Sequence, residues 1–237
     1  MPAPPAPVPP SPAPLSPVVL SLNIARKTVP VDYAQRGLTA IDKRPVGGPL
    51  KVSPPGPKGE GGSGIQGDVI GDWNNHGGDY QAVYGYARED LDWWQGELGV
   101  DLHEGQFGEN LTTRGVDQTQ ARIGERWRVG TALLQVTGPR IPCRTFAGFL
   151  GQRGWVKRFT QAARPGAYFK VVEAGVIAGG DEITVVHRPD HDVTVGMCFR
   201  ALLTEPDLLP HLLTAGDDLP PEERDTVLRR GAIQLDA

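Results

Sequence analysis

The chain has 237 residues, a formal net charge of −4, 39% hydrophobic residues and two cysteines. That is enough apolar chain for a real core in one large or two small domains, and the acidic balance argues against a general nucleic-acid binder, which needs a basic stripe. No apolar run approaches the roughly 20 residues of a membrane-spanning helix. Cys143 and Cys198 sit in unlike contexts and read as free thiols of a reducing cytoplasm rather than a disulfide framework.

Met1 to Pro17 is almost entirely proline, alanine and serine, a composition that cannot bury enough surface to fold, so residues 1–17 are expected to form a disordered tail. It has neither the charged start nor the apolar run of a secretory signal; a proline-rich ligand for a partner domain is the second reading. Val18 to Ile24 alternates as a first strand. Arg26 to Pro49 is irregular and basic, and Pro54 to Gly64 supports no regular element, reading as a lid-like loop or a bland surface insertion.

Val83, Ala87, Leu91, Trp94 and Leu98 recur at steps of three and four, with Asp79 as N-cap and Gly99 as stop. This predicts a helix with Trp94 on the core stripe. His76-Gly77-Gly78 then precedes a helix N-terminus, where freed amides make an anion site. Gly105 to Thr113 is polar and glycine-punctuated around Phe107. Ile123 to Gly130 and Gly179 to Val186 share a pattern of glycine, acid, then strand, which suits successive turns of an antiparallel barrel. Thr131 to Val136 reads as a buried strand, Arg144 to Leu150 and Trp155 to Ala163 as short helices, and Ala167 to Val172 as a strand. Phe199 to Thr204, Asp207 to Leu213 and Pro221 to Leu228 form a helical tail, with Pro221 in a first turn. A mixed α+β chain, mainly β, follows: a body over residues 18–195 and a helical extension over 196–237.

The densest stretch is Gly138-Pro139-Arg140-Ile141-Pro142-Cys143-Arg144. Two prolines stiffen it into a loop that presents Cys143 at the end of a strand, and flanking guanidiniums favour the ionised form of a thiol. Such a thiolate serves as nucleophile or as soft metal ligand. His76 is the one histidine in a glycine-rich loop and the only candidate base, while no CxxC pair or HExxH motif offers a protein-only metal set. Cys198 reads as a small buried hydrophobe. The loops also offer Gly77 and Gly78 amides, Asn110, the Thr112 and Thr113 hydroxyls, and cations at Lys43, Arg140, Arg144 and Arg164. Together these suit an anionic heterocycle.

Thr39-Ala40-Ile41-Asp42-Lys43, His76-Gly77-Gly78 with Gln81-Ala82-Val83, Phe107-Gly108-Glu109-Asn110-Leu111-Thr112-Thr113 and Pro139-Arg140-Ile141-Pro142-Cys143 occur in that order. From Val18 to about Arg230 the chain resembles the MOSC-domain proteins, most nearly their bacterial stand-alone branch with a C-terminal three-helix extension. The resemblance implies a β-barrel that binds the molybdenum cofactor, with Cys143 as the molybdenum ligand and catalytic centre. It implies pterin or phosphate contacts from Lys43, His76, Gly77, Gly78, Asn110, Thr112 and Arg140. It further implies a cytoplasmic, dimeric oxidoreductase that reduces N-hydroxylated compounds such as hydroxylaminopurines to amines, fed by an external flavin or iron–sulfur reductase, with no nucleic acid or membrane partner. A carrier of sulfur or cofactor through Cys143, and a cofactor-binding module without turnover, are the alternatives. The chain departs from the family's pattern in the Pro54 to Gly64 segment and in Asp79-Tyr80-Gln81, where a lysine often stands.

Overall fold

The computed structural model describes residues 16–229, so most of the expected tail lies outside the described residues. The strands are β1 (Val18–Ile24), β2 (Val29–Pro30), β3 (Leu38–Thr39), β4 (Arg44–Val46), β5 (Leu50–Val52) and β6 (Val83–Ala87). Helix α1 (Arg88–Leu98) is followed by β7 (Leu111–Arg114), β8 (Arg126–Val129), β9 (Ala132–Gly138), α2 (Arg144–Leu150) and α3 (Trp155–Ala162). The chain then forms β10 (Ala167–Glu173), β11 (Gly175–Ile177), β12 (Ile183–His187), α4 (Val195–Leu203), α5 (Leu209–Leu212) and α6 (Pro221–Leu228).

Eight strands form one sheet in the order β12-β8-β9-β10-β6-β7-β1-β4. Every pairing is antiparallel except β6 with β7, and the sheet curls until Val18 at the start of β1 bridges Glu182 beside β12. The expected mixed α+β, mainly β architecture is therefore present as a curled half-barrel with peripheral helices. The two glycine–acid–strand segments are direct neighbours: Ile183 pairs with Val129 and Val185 with Trp127.

The helix expected from Asp79 to Gly99 is half strand. Asp79–Gln81 is a single 3-10 turn, Val83–Ala87 is the fully buried β6 between β10 and β7, and the α-helix begins at Arg88. A buried central strand reads as a near-continuous apolar run, and a four-residue step is also a multiple of the strand period, so Val83 and Ala87 satisfied both templates. Gly99 does end the helix, in the left-handed conformation.

Two apolar clusters fill the molecule. One lies under the sheet and includes Val19, Trp127, Leu134 and Phe169, with Cys198, Leu202, Leu212 and Val227 of the C-terminal helices packed into it. The other is aromatic: Tyr84, Tyr86, Trp94, Phe107, Phe146, Trp155, Phe159 and Phe199. It joins β6, α1, α2, α3 and α4, and most of its rings meet at tilted and edge-to-face angles, such as Phe107 to Phe146 at 5.1 Å and Trp94 to Trp155 at 4.6 Å.

Trp94 is 1% exposed and donates to the Tyr86 hydroxyl at 3.0 Å, whereas Trp93 is 36% exposed. Trp94→Ala is predicted to cost about 3–5 kcal/mol in urea unfolding and Trp93→Ala about 1 kcal/mol or less. Equal losses would contradict the placement of the aromatic cluster.

Candidate functional site

Three strand ends set the site. Tyr168 of β10 pairs on one side with Gly138 at the end of β9 and on the other with Tyr84 of β6. The chain leaves β9 through Pro139 to Pro142 and enters α2 with Cys143 as the extended residue before its first turn. A cleft of about 680 Å³, open mouth included, lies over these ends. Cys143, Arg140, His76, Gly77, Lys43, Asn110, Tyr84 and Tyr168 line it, joined by Asp68, Asp72 and Gln81.

Arg140 dominates the electrostatics. It is 5% exposed, and among the described residues no carboxylate forms an ion pair with it. One Nη donates to the Phe107 carbonyl at 2.6 Å, and the guanidinium lies 4.3 Å from the centre of the Phe146 ring and 5.1 Å from that of Tyr84. Its Nε is buried without a partner. Burial alone would lower its pKa, yet Tyr168, Tyr84, Cys143 and Glu109 hold it above the ordinary value. A buried guanidinium with an unspent N–H and an aromatic floor is a prepared anion site. Gln81 Oε1 and Asp72 Oδ1 are also buried without partners on the cleft wall, so the cleft offers unused acceptors beside its unused donor.

Other candidates line the cleft but are already engaged. Lys43 Nζ lies 2.5 Å from both Asp68 oxygens, and burial lowers its pKa. Asn110 spends its amide inside the fold: Oδ1 accepts from the Tyr84 N–H at 3.2 Å, while Nδ2 donates to Asp68 at 2.9 Å and to the Asn23 carbonyl at 3.3 Å. These two residues fix the wall, and the unspent buried side-chain atoms of the lining belong to Arg140, Gln81 and Asp72.

Gly78 and Thr112 do not line the cleft. The Thr112 hydroxyl accepts from Asn23 and donates to Glu109 at 2.8 Å, and Glu109 also accepts the Gly105 and Phe107 N–H groups. The Gly78 N–H is spent on the Gly62 carbonyl at 3.1 Å. A Cβ on Gly78 would meet the Lys58 backbone at 2.6 Å, and one on Gly77 would meet Ile70 Cδ1 at 2.6 Å. Both glycines have positive φ and allow the 54–64 segment to pack closely. That segment is tied down by Gly56 N–H to Asp79, Gly64 N–H to the Ala82 carbonyl and Lys58 to Glu222, so it forms a fixed wall beside Gly77 and Gly78. Because only a three-residue turn follows Gly78, the expected helix-dipole anion site is absent there.

Arg144 is exposed, Arg164 pairs with Asp90 at 2.5 Å on another face, and Thr113 accepts from Gln118. Cys198 is fully buried, and burial pushes its thiol well above the ordinary range. Sequence reasoning missed Asp68, which sits between Gly67 and Val69 in a stretch without metal or catalytic spacing. Its one legible signal is a lone acid beside the apolar pair Val69-Ile70.

Burial, reinforced by Arg140, pushes His76 down to about 4, so its imidazole is neutral at pH 7. A histidine depressed below its unfolded value stabilises the fold fully above pH 6.5, and that contribution is lost as pH falls toward 4. At most about 3 kcal/mol is involved. Wild type is therefore predicted to lose more stability than His76→Gln between pH 7 and pH 4.5 in urea unfolding. Parallel losses would contradict the desolvated imidazole.

The sequence matches the family model for the MOSC domain over residues 72–184. Uncharacterized protein YflK of Bacillus subtilis (strain 168) is 32% identical over 183 residues, covering 77% of this chain and 79% of that protein. A fungal protein named Reductase, from Gibberella moniliformis, is 32% identical over 128 residues, which is 51% of this chain but only 23% of that protein. The crystal structure of YiiM from Geobacillus stearothermophilus superposes with a TM-score of 0.72 at 25% identity, covering 90% of this chain and 98% of that one. The ordered motifs, the curled sheet and a relative aligned over most of both chains agree: this chain belongs to the MOSC-domain family.

Proposed function

We propose that the chain is a molybdenum-cofactor-dependent oxidoreductase that reduces N-hydroxylated compounds, such as hydroxylaminopurines, to amines. The observation that carries this reading is the pairing of Cys143 with the unspent Arg140 Nε in one cleft, walled by the unpartnered acceptors of Gln81 and Asp72. A pterin with an anionic phosphate and ring N–H donors suits that set of groups, a few convergent polar atoms in one largely apolar cleft.

In this reading the Cys143 sulfur is the protein's ligand to molybdenum, a thiolate role that suits a thiophilic metal. Among the described residues no group of three or more histidine, cysteine or acidic side chains is placed to hold a metal, so the remaining ligands come with the cofactor. When bound, the cofactor supplies two-electron oxygen-atom chemistry. Arg140 holds its anionic part, and Gln81 accepts from its ring. The neutral His76 offers a hydrogen bond without adding charge, and the aromatic floor excludes water. Reduction of an N-hydroxylated amine takes two electrons and two protons and yields amine and water; an external flavin or iron–sulfur reductase supplies the electrons. The fungal relative's name, Reductase, favours this chemistry. A cytoplasmic setting belongs to the same proposal.

Protein purified from a cofactor-producing host is predicted to carry molybdenum and pterin, Cys143→Ala to lose the metal, and Cys198→Ala to keep it. Absence of molybdenum from wild type, with Cys143 freely alkylated, would contradict the reading. Bound molybdenum with no reduction of hydroxylaminopurine by a supplied reductase would favour a carrier.

A further inference from the structure

A second groove, of about 810 Å³ with its mouth included, adjoins the Cys143 cleft and shares Gly77, Gln81 and Tyr168 with it. One side is the barrel: Lys58 of the fixed wall, Tyr80, and Gly138-Pro139 on the way to Cys143. The other is the start of α6, Pro220 to Glu223. The C-terminal extension thus completes a groove next to the proposed cofactor.

Three features make this groove a built site. Its planar tyrosine rings and apolar proline ring faces are surfaces of the kind a planar heterocycle stacks on. Its charged groups are mutually engaged with one exception: Lys58 pairs with Glu222 at 2.6 Å and Asp79 accepts the Gly56 N–H at 2.9 Å, but Glu223 has no partner beyond its own backbone N–H among the described residues. Finally, Gly138 leaves a gap facing that carboxyl group. A Cβ built there would meet only Glu223 Oε1, at 4.0 Å, and Gly138 is not among the positive-φ glycines.

We propose that this groove binds the N-hydroxylated substrate, a planar nitrogen heterocycle, and that Glu223 hydrogen-bonds its N–OH group and donates the proton with which the hydroxyl departs. The inference rests on the proposed reductase function. The N–O bond breaks, the hydroxyl leaves as water with the proton from Glu223, and the nitrogen takes its proton from solvent through the open groove. The two electrons come from the flavin or iron–sulfur reductase, and solvent reprotonates Glu223. Burial pushes Glu223 up to about 7, with Glu222 adding to the rise and Lys58 opposing it. Cys198 of α4 feels its charge, but burial keeps that thiol uncharged. A carboxyl group so placed remains a proton donor near neutrality.

The test uses full-length, cofactor-loaded protein. Metal content, equilibrium dialysis of 6-N-hydroxylaminopurine without reductant, and the pH profile of turnover are measured for wild type, Glu223→Gln and Gly138→Leu. Both variants are expected to keep wild-type molybdenum. Glu223→Gln should lower kcat about 100-fold and abolish the fall in activity as pH rises through about 7. Gly138→Leu, which fills the groove, should lose binding of the probe. Variants that bind and turn over like an active wild type would overturn the groove assignment and leave the reductase reading intact. Molybdenum loss from either variant would give the groove to the cofactor and likewise overturn the assignment. An inactive, metal-free wild type would instead overturn the reductase reading beneath it.

Discussion

Arg140 is the constraint around which the site is arranged. Burying a cation without a carboxylate partner costs several kcal/mol unless something else satisfies it. Here the compensation is partial: one carbonyl, two aromatic faces and a phenolic neighbourhood, with Nε left over. A fold that only had to be stable would gain from an apolar side chain at that position. Keeping an incompletely satisfied guanidinium beside a cysteine makes physical sense if an anionic ligand completes it. The strand ends, the aromatic cluster and the stiff Pro139 to Pro142 loop together hold that geometry.

The opposite wall is built on a different principle. The side chains of Lys43, Asp68 and Asn110 are buried too but satisfy one another, and Asn110 also stitches β6 to β1 through backbone groups of Tyr84 and Asn23. A closed network of this kind rigidifies and leaves little for a ligand. Glu109 does the same below, gathering the Gly105 and Phe107 amides so that the Phe107 carbonyl stays available to Arg140. The cleft thus pairs self-satisfied walls with a few deliberately unsatisfied atoms, and the latter mark where a ligand belongs.

Legibility in the sequence followed the range of the interactions. The first strand, the two helices after Cys143, the paired glycine–acid–strand segments and the Pro221 helix start were readable because local pattern and turn chemistry decide them. Cys143 and Arg140 were readable because two prolines concentrate them in one loop. The β6 segment was misread because a fully buried strand loses the alternation that distinguishes it from a helix. Thr112, Gly78 and Asn110 look like ligand contacts in sequence, but their partners, Asn23, Gly62 and Asp68, lie far along the chain and only the tertiary pairing brings them together. Asp68 and Glu223 were invisible for the same reason: a lone carboxyl gains meaning from what faces it.

If the buried charge of Arg140 exists for an anionic cofactor, the pterin content of Arg140→Met, quantified by fluorescence after acid oxidation, must reveal it. The variant is expected to fold, with a cofactor-free thermal midpoint close to wild type, and to carry no pterin. Pterin retained at the wild-type level would contradict it.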